Sequence, residues 1–316
     1  MRTAMSRVTV LRRCAWFMSA CALSCAAVGM VAAGADDAVE RGRLEKMLAE
    51  GDNGMVVAVF RRYPGQTLPF IDRYFEGGLA MIEKGGDGAE AESIKSFRTG
   101  IRFATLADEA FPGAAFSKYA NAFASWSPNE QKSFREGQRL FKAGMRASTS
   151  DVAEASRLLR ESMSRAKELG DLWGEAMASG ALAELALKGD SPDVFAARRY
   201  AERAVELNDG LQLREDLVQS LRVLARASAR GESFTPLRRA WELVADDSSF
   251  DAATKRELLD EYATTLDQIG QKALAARLRA DVAKETQPSA TTKDAAGAAK
   301  EPGAGESKSA SDAAKH

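Results

Sequence analysis

The sequence predicts an all-α protein built from successive helix hairpins, and three observations predict it. From Asp36 to about Glu285, apolar residues recur at helical spacing and nothing alternates as a strand would. The breaks take the form Gly-Asp or Gly-Glu, at Gly51-Asp52, Gly86-Asp87, Gly170-Asp171, Gly189-Asp190 and Gly231-Glu232, where glycine supplies the left-handed residue that closes a helix. Finally, the string Arg165-Ala166-Lys167-Glu168-Leu169 returns as Arg203-Ala204-Val205-Glu206-Leu207 and as Arg239-Ala240-Trp241-Glu242-Leu243, with a degraded copy at Arg279-Ala280-Asp281-Val282. Its steps are 38, 36 and 40 residues, and the turn glycines Gly189, Gly231 and Gly270 step by 42 and 39. A period near 40 belongs to helix-hairpin solenoids.

The N-terminal segment follows a different rule. Arg2, Arg7, Arg12 and Arg13 precede an apolar run from Cys14 to Ala35 that carries no charge. A positive start, an apolar stretch and the small-residue exit Ala33-Gly34-Ala35 make a secretory signal peptide over residues 1–35, cut after Ala35. The run is also long enough for an uncleaved anchor, which needs about 20 apolar residues. Cys25, preceded by Leu23-Ser24, resembles a bacterial lipoprotein cleavage site, although Ala22 stands where that pattern has Leu. All three cysteines, Cys14, Cys21 and Cys25, lie in this run, so the cleaved chain has none and stands on its core without disulfides. Cleavage removes four of 44 basic residues and none of 45 acids, giving a net charge of 40 minus 45, or −5. That balance argues against a phosphate-binding surface and hence against nucleic acid as a partner.

Helix starts are also legible. Ser127-Pro128 with Glu130 is a capping box, and Ser191-Pro192 and Thr235-Pro236 repeat the cap-plus-proline arrangement. Residues 36–138 read as irregular hairpins rich in aromatics, since ten of the fourteen Phe fall between Phe60 and Phe141. Phe116, Tyr119, Phe123 and Trp126 step by 3, 4 and 3 and share one helix face, which is expected to point into the core rather than line a groove. Residues 286–316 contain no Val, Ile, Leu, Met or aromatic residue, and such a tail is expected to be disordered.

Over residues 139–285 the pattern becomes more specific. Ala197-x2-Tyr200-Ala201-x2-Ala204-x2-Leu207 resembles the second helix of a tetratricopeptide repeat, and Ala155-x2-Leu158-Leu159-x6-Ala166-x2-Leu169 is a looser version. Trp173, Met177, Ala181 and Leu185 give the first-helix stripe without that family's Gly/Ala–aromatic signature. The repeats exceed 34 residues, and Asp209 replaces the closing proline. The resemblance implies a right-handed α-α superhelix of TPR-like hairpins. It also implies a scaffold or adaptor that binds a protein or peptide segment.

Chemistry is sparse. The single histidine is His316, which removes histidine-based triads and zinc sites, and the cleaved chain offers no thiolate. No phosphate loop or Gly-x-Gly-x-x-Gly occurs, and no cofactor or metal is expected. An enzyme is not expected. A glycan-acting enzyme needing only two carboxylates stays open, with Glu130, Glu136, Glu161 and Glu184 available. Arg222, Arg226 and Arg230 recur every four residues, with Arg214 two turns earlier. Exposed solvation is the ordinary state of such a row, and a partner-binding face for acidic side chains is the sharper reading. The expected function is therefore an exported scaffold in the bacterial cell envelope. A membrane-tethered assembly subunit and a carboxylate-dependent glycan enzyme are the alternatives.

Overall fold

A computed structural model describes residues 34–285 apart from 189, 190, 230, 246 and 248. Among these residues it is all-helical, with thirteen helices and no strand. In chain order they are α1 (Gly34–Glu50), α2 (Asn53–Arg62), α3 (Pro64–Lys84), α4 (Ala89–Ala110), α5 (Phe116–Ser125), α6 (Pro128–Ala147) and α7 (Val152–Leu169). They continue as α8 (Leu172–Ala186), α9 (Val194–Gly210), α10 (Arg214–Arg226), α11 (Phe234–Val244), α12 (Ala252–Gln268) and α13 (Lys272–Glu285). The chain divides after Asp247, so α1 to α11 form one unit while α12 and α13 pack on each other in a second. The expected tail, Cys25 and most of the expected signal peptide lie outside the described residues; cleavage after Ala35 would remove the first two residues of α1. No described helix is long and apolar enough to cross a membrane.

Helix ends show which punctuation the chain uses. Ser127 and Glu130 form the full capping box at α6: Ser127 Oγ accepts from Glu130 N, and the Glu130 carboxylate accepts from Ser127 N at 2.7 Å. Gly170 closes α7 with φ 68°, and Asp171 N reaches back to Ala166 O at 2.8 Å. The other two cap-plus-proline starts are corrected. At α9 the cap is Asp193, whose carboxylate takes the Ala196 N–H at 2.9 Å, so Ser191-Pro192 lies ahead of the helix. At α11 the helix already begins at Phe234, placing Thr235-Pro236 inside its first turn. Gly231 does not close a helix either, because α10 ends at Ala227 in a right-handed conformation.

The aromatic face of α5 is core. Phe116, Tyr119, Phe123 and Trp126 are between 0 and 7% exposed, beside buried Phe60, Phe75 and Phe103. Phe123 packs on Trp126 and Phe134 with ring centroids 4.1 and 5.1 Å apart. Each such burial contributes about 1.5–3 kcal/mol. This core extends past the first hairpins: Leu172, Ala176, Leu207, Leu211 and Leu213 belong to it, and Trp126 Nε1 donates to Leu169 O at 2.9 Å. The sequence division at 138/139 falls within α6, which serves both regions.

From α6 to α11, each helix packs on the next, and α6 and α10 each also touch α8. The repeated string maps onto alternate helices, α7, α9, α11 and α13, so one period is one hairpin. Its alanines, Ala166, Ala204 and Ala240, are 5, 0 and 0% exposed, which lets the paired helices approach closely. Its arginines all reach an earlier part of the chain. Arg203 makes a two-pronged bond to Glu175 on α8 (2.8 and 2.9 Å), and Arg239 bonds Asp209 on α9 (2.6 Å). Arg165 donates to Ser133 on α6 (3.3 Å), and in the second unit Arg279 bonds Asp267 on α12 (2.8 Å).

Candidate functional site

Where α3, α5, α6, α7 and the start of α8 meet, they leave a cavity of about 60 Å³. Its walls are mixed. Phe134, Phe141, Trp173 and Met177 give an apolar side, while Asp72, Glu76, Asp171 and Tyr119 bring three carboxyls and a phenol. Each group arrives for a local reason. Asp72 and Glu76 are one turn apart on α3, and Asp72 interrupts the apolar stripe of Leu68, Ile71, Phe75 and Leu79. Asp171 is the N-cap of α8, with Oδ1 accepting from Gly174 N at 2.9 Å. Tyr119 comes from the buried face of α5.

The carboxyls are unequally satisfied. Tyr119 Oη donates to Asp72 Oδ1 at 2.5 Å, and among the described residues nothing donates to Asp72 Oδ2. Glu76 is held by Arg135 (2.5 Å) and Gln138 (2.8 Å), and Arg135 is shared with Glu83 at 2.6 Å. Burial, helped by the Glu76 and Asp171 charges, pushes the Asp72 carboxyl up to about 8 against the Tyr119 bond and the Arg135 charge. Burial also pushes Asp171 up to about 7, with Glu76 and Glu175 adding to it and the Gly174 and Trp173 amides opposing it. Asp171 is 7% exposed, whereas Asp72 keeps part of its surface open toward the cavity. The Gly174 and Trp173 amides favour the charged form of Asp171, whereas the Tyr119 bond and the Arg135 charge do so for Asp72. Two cations also line the cavity: exposed Lys142, and Arg165, whose Nε is enclosed without a partner.

A second cavity of about 50 Å³ adjoins the first, sharing Phe141, Trp173 and Met177. It runs along α6, α8 and α10 and carries Glu184, which accepts from Gln219 at 2.5 Å, and Asp216. Burial, with the Glu215 charge, pushes Asp216 up to about 6.

The sequence-selected residues fall as follows. Arg222 and Arg226 lie on α10 beside Gln219 at the edge of the cavity-facing row, and Arg226 Nε donates to Arg222 O at 3.4 Å. Arg214 sits on the opposite side of α10 and bonds Asp247 at 2.8 Å. Arg230 lies outside the described residues. Of the four glutamates, Glu130 is spent on its capping box, Glu136 pairs with Arg139 at 2.7 Å, and Glu161 bonds Arg157 and Arg165. The Ser127 bonds and the Arg139 guanidinium hold Glu130 and Glu136 below the usual carboxylate range. Glu184 alone reaches a cavity. Sequence reasoning missed Asp72, Asp171 and Asp216. Asp72 had a readable signal, a carboxylate inside an apolar stripe; Asp171 was read only as turn chemistry. Among the described residues, no three His, Cys, Asp or Glu are placed to hold a metal ion. Comparison with known protein families, curated proteins and solved structures returns no match.

Proposed function

We propose that the chain is an exported TPR-like scaffold of the bacterial cell envelope, whose α6, α8 and α10 form the inner row of a right-handed superhelix and hold a protein or peptide segment. The observation that carries this reading is that the two cavities adjoin, sharing Phe141 of α6 and Trp173 and Met177 of α8 in their walls. Repeat hairpins leave extended surfaces of this kind. Export rests on the charge and apolar pattern of residues 1–35. The test is a photo-crosslinker placed at Lys142, at the mouth of the first cavity, and at Ser164, exposed on α7. A defined segment captured at Lys142 and not at Ser164 supports the scaffold. Equal capture at both positions, or none at either, overturns it.

One observation favours a second reading, a carboxylate-dependent glycan-acting enzyme. Asp72 lines the cavity beside Glu76, and burial raises its carboxyl in the direction a general acid requires. Hydrolysis of peptidoglycan fragments that disappears in Asp72→Asn would support it, and absence of hydrolysis by the wild type removes it.

A further inference from the structure

We propose that the cavity between α3, α5, α6, α7 and α8 is an ammonium pocket, which takes the side-chain end of a lysine in the segment the scaffold holds; the proposal rests on that scaffold reading.

Three features carry it. The first is size. A water-sized group needs roughly 10–15 Å³ of such space, so a cavity of about 60 Å³ houses about five non-hydrogen atoms. That suits the four methylenes and one nitrogen of lysine better than a planar guanidinium or a whole residue. The second is the division of the walls. Phe134, Phe141, Trp173 and Met177 offer apolar and aromatic surface for a methylene stem and for the cation itself. The carboxyls of Asp72, Glu76 and Asp171 meet at the same cavity.

The third feature is a carboxyl with acceptor capacity to spare. Asp72, a part-exposed residue of the cavity lining, accepts one hydrogen bond, from Tyr119 at Oδ1, among the described residues. The cation nearest to answering the cluster, Arg135, is already divided between Glu76 and Glu83. Arg165 is engaged with Glu161 and Ser133, and Lys142 is exposed at the rim. An incoming ammonium supplies three donors and one positive charge where the protein has packed carboxyls that repel one another. Such a ligand also displaces the proton. The charged and titratable groups facing Asp72 are Glu76 on its own helix, Tyr119 on α5, Arg135 and Lys142 on α6, Arg165 on α7 and Asp171 at the cap of α8. The burial that raises Asp72 and Asp171 makes an ionised pocket unfavourable when empty, so amine binding strengthens as pH rises from 6 to 8 and releases protons.

The experiment uses the full chain with n-butylammonium as probe, n-butanol as its uncharged counterpart, and Trp fluorescence and calorimetry as readouts. Butylammonium should bind at least about tenfold tighter than butanol and more tightly at pH 8 than at pH 6. Asp72→Asn keeps the acceptor for Tyr119, and it should remove the preference. Lys142→Glu changes only an exposed rim cation, and it should tighten butylammonium about threefold. Equal binding of amine and alcohol, or a preference unchanged in Asp72→Asn, overturns the pocket. The scaffold fails separately. Segments captured at Lys142 that carry no lysine leave the scaffold standing and overturn the pocket. Butylammonium binding without any captured segment supports the pocket chemistry and overturns the scaffold.

Discussion

Replacing Gly144 with alanine sets two effects of opposite sign against each other. Alanine is a better helix former than glycine by about 0.8–1 kcal/mol, which taken alone stabilises α6. The added Cβ, however, would stand 2.8 Å from Leu159 Cγ, 3.0 Å from its Cδ2 and 3.3 Å from its backbone N. Leu159 is 1% exposed, and its Cγ is close to the backbone, so neither contact can yield without moving α7. Overpacking of this kind costs about 1–3 kcal/mol, here toward the upper end because backbone is involved. The net expectation is a loss of about 2 kcal/mol, or roughly 4–8 °C in Tm for a domain of this size. Gly180, inside α8, is the internal control, since nothing lies within 4 Å of the Cβ it would gain. Gly180→Ala should therefore stabilise by up to about 1 kcal/mol. Urea unfolding followed by helical circular dichroism measures both. A Gly144→Ala protein as stable as the wild type, alongside a stabilised Gly180→Ala, would refute the close approach of α6 and α7.

Other perturbations test other parts of the fold. Arg203→Met strips the partner from Glu175, whose side chain is 6% exposed, and should cost about 3 kcal/mol; a loss below about 0.5 kcal/mol in urea unfolding would rule out a structural role for the pair. Ser127→Ala removes the α6 cap and should cost about 1 kcal/mol, read from the same transition. Asp72 and Asp171 are raised in the folded state, so that state binds more protons than the unfolded chain between about pH 4 and pH 8, and their contribution to stability falls as pH rises through that window. Asp72→Asn should flatten the slope by up to about 1.4 kcal/mol per pH unit, and an unchanged difference between wild type and variant from pH 5 to pH 8 would contradict the shift. Intact mass of the envelope form should give Asp36 as the first residue, and a lipidated Cys25 would replace the cleaved-signal reading by a tether.

What was legible in the sequence was the grammar that acts within a turn or two of helix. Ser127 and Glu130 are three residues apart and satisfy each other whatever surrounds them. The first three Arg-Ala strings were legible because their hairpins repeat the same close packing, seen in Ala204 and Ala240 at 0% exposed, whereas Ala280 of the degraded copy is exposed. The misplaced starts at α9 and α11 came from proline, whose fixed φ suits both a helix entrance and the residue just before one. The candidate site was hidden for a different reason. Asp72 and Asp171 are 99 positions apart in the sequence, and their burial exists only once α3 and α5 close against α6 to α8. A local rule reads Asp171 as a cap, which it is; its second circumstance depends on distant partners. The arginines of α10 mislead in the opposite sense, since their four-residue spacing is plain while Arg214 turns out to hold the stretch after α11.

The backward reach of the repeat arginines bears on how the chain is assembled in time. Arg165, Arg203, Arg239 and Arg279 each bond a residue between 12 and 32 positions earlier, and their one later partner among the described residues, Glu206 of Arg203, lies one turn on in the same helix. A polypeptide emerging N-terminus first can thus latch each second helix as soon as it appears, against a helix already in place. Loops this short cost little entropy to close. Assembly in that order proceeds like a zip whose teeth engage only with those already drawn together, and a chain halted partway keeps every hairpin behind the halt fully latched.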